Sequence, residues 1–176
     1  MPYLETQGIS LSHPKIWKAE ELVYMLAKEV SENRKEHGQK DKAHIVLTSG
    51  HYDILHPGHV SFLQDAKNLG EVLVLALNSD DSIQRNNEDS PINNLSVRAF
   101  MVAHLQSVDY VTAFSEDTPL ELITLLRPDI LVKGGDWAEE NIIGAEFVKS
   151  YGGLVYSLPL ITGYSTTNLI DKIRKK

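Results

Sequence analysis

The chain has 176 residues, enough for one domain with a real core and too few for two comfortable ones. A formal charge of −7 argues against a nucleic-acid surface, since only Lys172, Arg174, Lys175 and Lys176 form a local basic cluster. The absence of cysteine excludes disulfide frameworks and thiolate metal sites, and the longest apolar run, Val72 to Leu77, is too short to span a bilayer.

Met1 to Lys15 lack the basic and apolar regions of a signal peptide, so a cytoplasmic protein with no membrane or nucleic-acid partner is expected. From Pro14 to about Glu36, the residues Ala19, Leu22, Val23, Leu26, Ala27 and Val30 recur at helical spacing and predict a packing helix. The polar run Asn33 to Lys42 reads as an exposed loop. A strand at Ile45 to Leu47 leads through a turn-rich stretch into a helix that opens at Pro57 and closes near Gly70. Val72 to Leu77 has the continuous apolar character of a strand buried on both faces. The alternation continues with a helix over Leu95 to Gln106, a strand at Tyr110 to Ala113, a helix from Thr118 to Leu126 and a strand at Asp129 to Val132. A last pair of helices flanks a strand near Leu154 to Ser157. Such spacing predicts an α/β fold with a doubly wound parallel sheet, whose ligands bind beyond the carboxyl ends of the strands. Residues 1–42 read as a helix and linker extension, and 43–176 as the domain that carries the chemistry.

The first strand-to-helix loop reads Thr48, Ser49, Gly50, His51, Tyr52, Asp53, Ile54, Leu55, His56, Pro57, Gly58, His59. Gly50 permits close backbone approach, Pro57 suits the first helical turn, and the free N–H groups of that turn attract an anion. His56 and His59, three residues apart at a helix start, lie on one side of it, where protonated or hydrogen-bond-donating imidazoles stabilise charge in an in-line phosphoryl transfer. Two other readings stay open: incidental polar histidines, and a zinc site built from Asp53, His56 and His59. Downstream, Lys133 follows a buried strand and meets Gly134 and Gly135, where a cation beside an open backbone reaches a phosphate; Asp136 and Trp137 are placed to contact a base or sugar. A surface lysine and a packed tryptophan are the plain alternative. Ser165 is a good N-cap, and Thr166 and Thr167 add hydroxyls at a second helix N-terminus that suits phosphates, with simple capping as the alternative.

These stretches together resemble the cytidylyltransferase-like nucleotidyltransferases, whose hallmark is HxGH after a strand ending in a Gly-x-aromatic-Asp turn. Leu131 to Trp137 resembles the Lys-Gly-Gly-Asp-aromatic segment of bacterial heptose 1-phosphate adenylyltransferases, and Tyr164 to Asn168 resembles their Ser-Thr-Thr segment. The resemblance runs from about Leu22 to Ile173. It implies the Rossmann-like HxGH nucleotidyltransferase fold, with His56, His59 and Lys133 catalytic. Thr48, Ser49, Gly50, His51, Tyr52, Gly58, Asn78, Arg98, Gly134, Asp136, Ser165, Thr166 and Thr167 are implied to bind the nucleotide and its phosphates. Asp53, Arg85 and Trp137 are implied to bind the acceptor. Protein side chains are expected to hold no metal; Mg2+ arrives with the triphosphate. The implied partners are ATP, or CTP, and a phosphorylated sugar or alcohol, and family habit implies a homodimer.

Two reactions compete within the family: formation of ADP-heptose from ATP and a heptose 1-phosphate, and cytidylyl transfer to glycerol 3-phosphate or a similar phosphorylated alcohol. Glycerol phosphate cytidylyltransferases place arginines where this chain has Leu160 and, nearby, Gln106, which favours the heptose branch. The heptose enzymes carry a basic loop after the Asn-Ser-Asp that matches Asn78, Ser79 and Asp80. Here Arg85 is followed by Asn86, Asn87 and Glu88, and His51 stands where the family commonly has a small residue or cysteine. A nucleotide-binding regulatory module without turnover is the alternative of another class.

Overall fold

The computed structural model describes residues 5–6, 9–10, 13–37, 44–85 and 90–175. The elements are β1 (Glu5–Thr6), β2 (Ile9–Ser10), α1 (Ala19–His37), β3 (Ile45–Gly50), α2 (Pro57–Lys67), β4 (Val72–Asn78), α3 (Asp80–Gln84), α4 (Leu95–Ala103) and β5 (Tyr110–Phe114). They continue with α5 (Leu120–Leu126), β6 (Ile130–Gly134), a 3₁₀ turn at Glu139–Asn141, α6 (Ala145–Ser150), β7 (Leu154–Leu158) and α7 (Thr166–Arg174). β1 and β2 form a separate antiparallel pair. The other five strands are all parallel, in the order β5-β4-β3-β6-β7. The expected α/β Rossmann-like architecture is met.

The burial of each strand follows from its composition. β4 is apolar at six consecutive positions and all six are buried, because helices cover both faces of the sheet. On one face α1, α5 and α6 pack through Leu22, Leu26, Leu122, Ile123, Leu126 and Val148. On the other, α2 and α4 pack through Phe62, Leu63, Ala66, Ala99 and Val102. The chain leaves β3 for α2 on one face and leaves β6 for α6 on the opposite face. The loops after these adjacent strands therefore part, and a crevice opens between their carboxyl ends.

The sequence reading differs from the structure at the N-terminal helix, whose first turn was expected at Pro14. Residues 13–17 instead run along β5: Trp17 N–H donates to Val111 O at 2.9 Å, and Val111 N–H to Lys15 O at 2.8 Å. Lys15 Nζ fastens this strap by donating to Val108 O at 2.6 Å and Leu105 O at 3.2 Å. An outer strand presents unpaired backbone groups, and pairing them outweighs the weak helical propensity of a segment that opens on proline. Helix α1 then continues to His37, through the first part of the expected polar loop; residues 38–43 of that loop lie outside the described residues. The helix expected to reach Gln106 stops at Ala103, where tighter turns follow. The short helix α3 and the β1–β2 pair carry no periodic signal long enough to read. Among the described residues no helix is long and apolar enough to cross a membrane.

Leu22 has no exposed surface and lies in the same core as β3 and β4. Leu22→Ala is expected to lower the unfolding free energy by about 2–5 kcal/mol, read from urea denaturation. A change within error would show that α1 is not part of the cooperative core.

Candidate active site

The loop between β3 and α2 is built around Tyr52, whose backbone takes a left-handed conformation at φ 49. Its ring folds over Gly50, where a Cβ would lie 2.9 Å from ring carbon Cε2, so residue 50 has to be glycine. Tyr52 is itself buried, with its ring centroid 4.9 Å from that of His59, and burial pushes its phenol pKa up. It was expected among the phosphate-binding residues; its ring instead supports Gly50 and His59.

His56 is the N-cap of α2, in extended conformation ahead of Pro57, and its Nδ1 accepts the backbone N–H of His59 at 3.3 Å. The two imidazoles stack with centroids 3.7 Å apart and planes 15° from parallel. Gly58 makes this possible, because a Cβ there would come within 3.0 Å of His56 Nδ1 and 3.4 Å of Tyr164 Cβ. An accepting Nδ1 puts the His56 proton on Nε2. Nδ1 of His59 is buried with no partner, and an unpaired acceptor is cheaper there than an unpaired donor, which assigns its proton to Nε2 as well. Burial holds both pKa values below the ordinary 6.5, and for His59 burial and then His56 bring it to about 4. Both rings are neutral donors at pH 7.

The crevice between the ends of β3 and β6 is a cleft of about 480 Å³. Ser49, Gly50, His51 and His59 line one side, and Lys133, Gly134, Thr166 and Thr167 line another. His56 stands at its edge, beside a shallower depression with Leu55, Val60 and Ile161. Lys133 is half-buried, burial lowers its pKa, and none of the described residues pairs with it. Gly134 lies close against Leu160 and Phe62: a Cβ would meet Leu160 Cδ2 at 2.9 Å and the Phe62 ring at 3.2 Å. Ser165 Oγ accepts the N–H of Asn168 at 3.0 Å and starts α7, which brings Thr166 and Thr167 to the cleft. Thr48 is buried with its hydroxyl unpaired.

Several expected ligand-binding residues are engaged elsewhere. Arg98 has no exposed surface and spends four of its five N–H donors on the protein. Nε donates to Asn93 O at 3.0 Å, Nη1 to His51 O at 2.7 Å, and Nη2 to Asn78 O and Asp80 Oδ1, both at 2.7 Å. Rather than a phosphate, it holds three loops at the mouth of the cleft. Asp53 lines the cleft, but its oxygens accept the N–H groups of Ile92 and Asn93, each at 2.7 Å. Arg85 pairs with Asp117 at 2.6 Å and donates to Ser115 O, at the far edge of the sheet. Asn78 gives its carbonyl to Arg98 and its amide to Ser82 Oγ at 3.2 Å. Trp137 is half-exposed outside the cleft lining, with Nε1 donating to Gly134 O at 3.2 Å and its backbone N–H to Ser157 Oγ at 3.1 Å; Asp136 beside it is exposed.

With both Asp53 oxygens committed to backbone donors and both histidines stacked on each other, the zinc reading of Asp53, His56 and His59 does not fit. Among the described residues no three His, Cys, Asp or Glu gather to hold a metal. Sequence reasoning also missed the apolar walls, Phe62, Ile83, Leu160 and Ile170, and the anchors Asp80 and Asn93.

Residues 47–157 match the cytidylyltransferase-like family. The chain belongs to that family. Its expected class, a nucleotidyltransferase, is met. This cytidylyltransferase-like chain is 43% identical over 174 residues to the bifunctional protein HldE of Trichlorobacter lovleyi, covering 96% of this chain and 34% of that protein. It is 53% identical over 130 residues to the bifunctional protein HldE of Syntrophotalea carbinolica, covering 73% of this chain and 26% of that one. The chain thus spans about a third or less of the length of these curated relatives. Among solved structures, the lipopolysaccharide core biosynthesis protein from Thermoplasma volcanium GSS1 matches at a TM-score of 0.55 and 28% identity, over 70% of this chain and 99% of that one. The pantoate-beta-alanine ligase of Francisella tularensis shares the fold, at a TM-score of 0.53 and 15% identity over 92% of this chain and 78% of that one.

Two measurements test the geometry. Arg98→Lys keeps the charge but loses the fork that reaches three carbonyls, so a loss of about 2–4 kcal/mol in urea denaturation is expected; unchanged stability would return Arg98 to ligand binding. The neutral histidines set a pH dependence: the unfolded chain takes up protons near pH 6.5 that native His59 refuses until about pH 4. Their contribution is therefore intact above pH 6.5 and is lost as pH falls toward 4. The drop in urea midpoint between pH 7 and 4.5 should shrink in His59→Asn, and an unchanged drop would contradict the buried neutral assignment.

Proposed function

We propose that the chain transfers AMP from ATP to a sugar 1-phosphate, with heptose 1-phosphate as the acceptor, releasing pyrophosphate. The observation that carries this reading is the donor set at one cleft: the His59 imidazole with His56 stacked on it at the N-terminus of α2, a Lys133 ammonium unpaired among the described residues, and the threonine hydroxyls that open α7. No carboxylate competes for Lys133 among the described residues. The similarity to the HldE proteins supports heptose as the acceptor and ATP as the donor. The apolar Leu160 on the cleft wall supports the same branch, since the glycerol phosphate reading places an arginine there.

In this reaction the nucleophile is a phosphate oxygen of the acceptor, ionised at neutral pH, so no general base is needed. It attacks the α-phosphorus in line while the bond from that phosphorus to the β-phosphate oxygen breaks. His56 and His59 donate hydrogen bonds to the charge that builds on the transferring and leaving groups, Lys133 balances the phosphates, and Thr166 and Thr167 position the triphosphate tail. The cleft donors are imidazoles, an ammonium, hydroxyls and backbone N–H groups, a set that complements phosphate oxygens. A divalent ion would accordingly be carried by the nucleotide, where it neutralises triphosphate charge. Arg98 acts as a positioning residue through the carbonyls of His51, Asn78 and Asn93.

A pyrophosphate-release screen crossing ATP and CTP with heptose 1-phosphate and glycerol 3-phosphate tests the assignment. Turnover is expected with ATP and heptose 1-phosphate, and turnover with CTP and glycerol 3-phosphate alone would transfer the protein to the other branch. His56→Ala and His59→Ala should each lower kcat by at least about 100-fold, the scale of one lost transition-state donor, while circular dichroism stays native. Activity retained in both would remove the histidines from the mechanism, and nucleotide binding without turnover on any acceptor would support a regulatory module.

A further inference from the structure

A second cavity, of about 200 Å³, lies between the strap, the outer edge of β5 and α4, and shares no lining residue with the cleft. It follows from the way the strap leaves the sheet. Phe114 O accepts the N–H of Ser79 on the β4 side, so strand alternation turns the backbone groups of Val111 and Ala113 toward the open edge. The strap bonds both groups of Val111 and then departs into α1 at Ala19. Ala113, two residues on, faces the gap with no described residue bonded to its N–H or carbonyl.

Thr112 lines the same cavity, is only 2% exposed, and has a hydroxyl with no hydrogen-bond partner among the described residues. Buried polar groups are normally paired, and valine would fill the same shape without an unsatisfied oxygen. Most of the remaining wall is apolar, with Trp17 on the strap and Ala99 on α4. The two charged residues at the cavity, Lys18 and Glu20, are exposed and of opposite sign, so the site favours neither anions nor cations. For scale, an apolar cavity of about 150 Å³ is enough to hold benzene.

We propose that this cavity is a second ligand site, taking a small neutral ring that carries one hydroxyl or N–H group. The ring fills the space between Trp17 and Ala99, and its polar group pairs with the Thr112 hydroxyl. Ala99 follows Arg98 on α4, so the occupant rests against the helix whose guanidinium ties the mouth of the cleft.

Phenol and toluene, rings of similar size with and without a hydroxyl, test this by NMR titration of the whole chain. At millimolar concentration both should shift the signals of Ala99, Ala113 and the Trp17 indole saturably, and ATP should leave those shifts in place. Thr112→Val should lower the phenol-to-toluene affinity ratio about two- to tenfold, the equivalent of one net hydrogen bond. The same variant should unfold at the urea concentration of wild type or above it, since it loses an unpaired hydroxyl. Ala99→Leu fills the cavity and should abolish binding of both rings; Ala113→Leu, at a less buried position, makes the same test if Ala99→Leu does not fold. No saturable shift with either ring, shifts confined to cleft residues such as His59 and Thr166, or displacement by ATP overturns the proposal. So does an unchanged affinity ratio in Thr112→Val, a lowered urea midpoint in that variant, or binding that survives the leucine substitutions.

Discussion

A single buried guanidinium holds the mouth of the cleft together. Arg98 reaches the carbonyls of His51, Asn78 and Asn93 and the carboxylate of Asp80, so the β3–α2 loop, the end of β4 and the start of α4 are tied to one rigid group. Two of the carbonyls belong to loops and the third to the last residue of β4. Without a donor of this reach, three partly buried carbonyls would lose their hydrogen bonds to Arg98, each worth about 0.5–1.5 kcal/mol net. Lysine has a point charge and three diverging donors and cannot hold three such acceptors in fixed directions.

The rest of the site hangs from that arrangement. His51 is fixed at its carbonyl, two residues ahead of Asp53, whose carboxylate grips the N–H groups of Ile92 and Asn93. Between them, Tyr52 turns through a left-handed conformation and lays its ring over Gly50 and beside His59. The histidine pair is therefore supported from below by an aromatic ring and from the side by a helix cap. Its neutrality follows from burial, and that neutrality suits groups that donate hydrogen bonds without repelling Lys133 across the cleft. In the proposed reaction the attacking oxygen is already ionised, and such a site would act through orientation and charge complementarity.

Much of this was legible in the sequence. The apolar run of β4, the proline at the head of α2 and the alternation of strands and helices predicted the parallel sheet, and residues from the loops singled out after β3 and β6 line one cleft. His56, His59, Lys133 and the threonines of α7 were named from helix ends and strand ends; all but His56 line the cleft, and His56 stacks on His59. Residues with a local reason to be where they are read well. Arg98, Asp53, Arg85 and Trp137 did not, because each is a polar or aromatic side chain whose partner lies 3 to 47 residues away in sequence. Nothing in their neighbours distinguishes an arginine that grips carbonyls from one that grips a phosphate.

The sequence by itself determined the periodicities, the caps and the glycines, since these depend on backbone geometry within a few residues. It therefore specified five strands, their order along the chain and the two loops whose residues line the cleft. The tertiary structure alone decided which polar groups are already satisfied. It paired residues 13–17 with the open edge of β5 where a helix was expected, buried Arg98, committed Asp53, and left Lys133 and His51 at the cleft without partners among the described residues. Whether a charge is free for a ligand depends on what folds against it, and that is fixed only when distant segments meet.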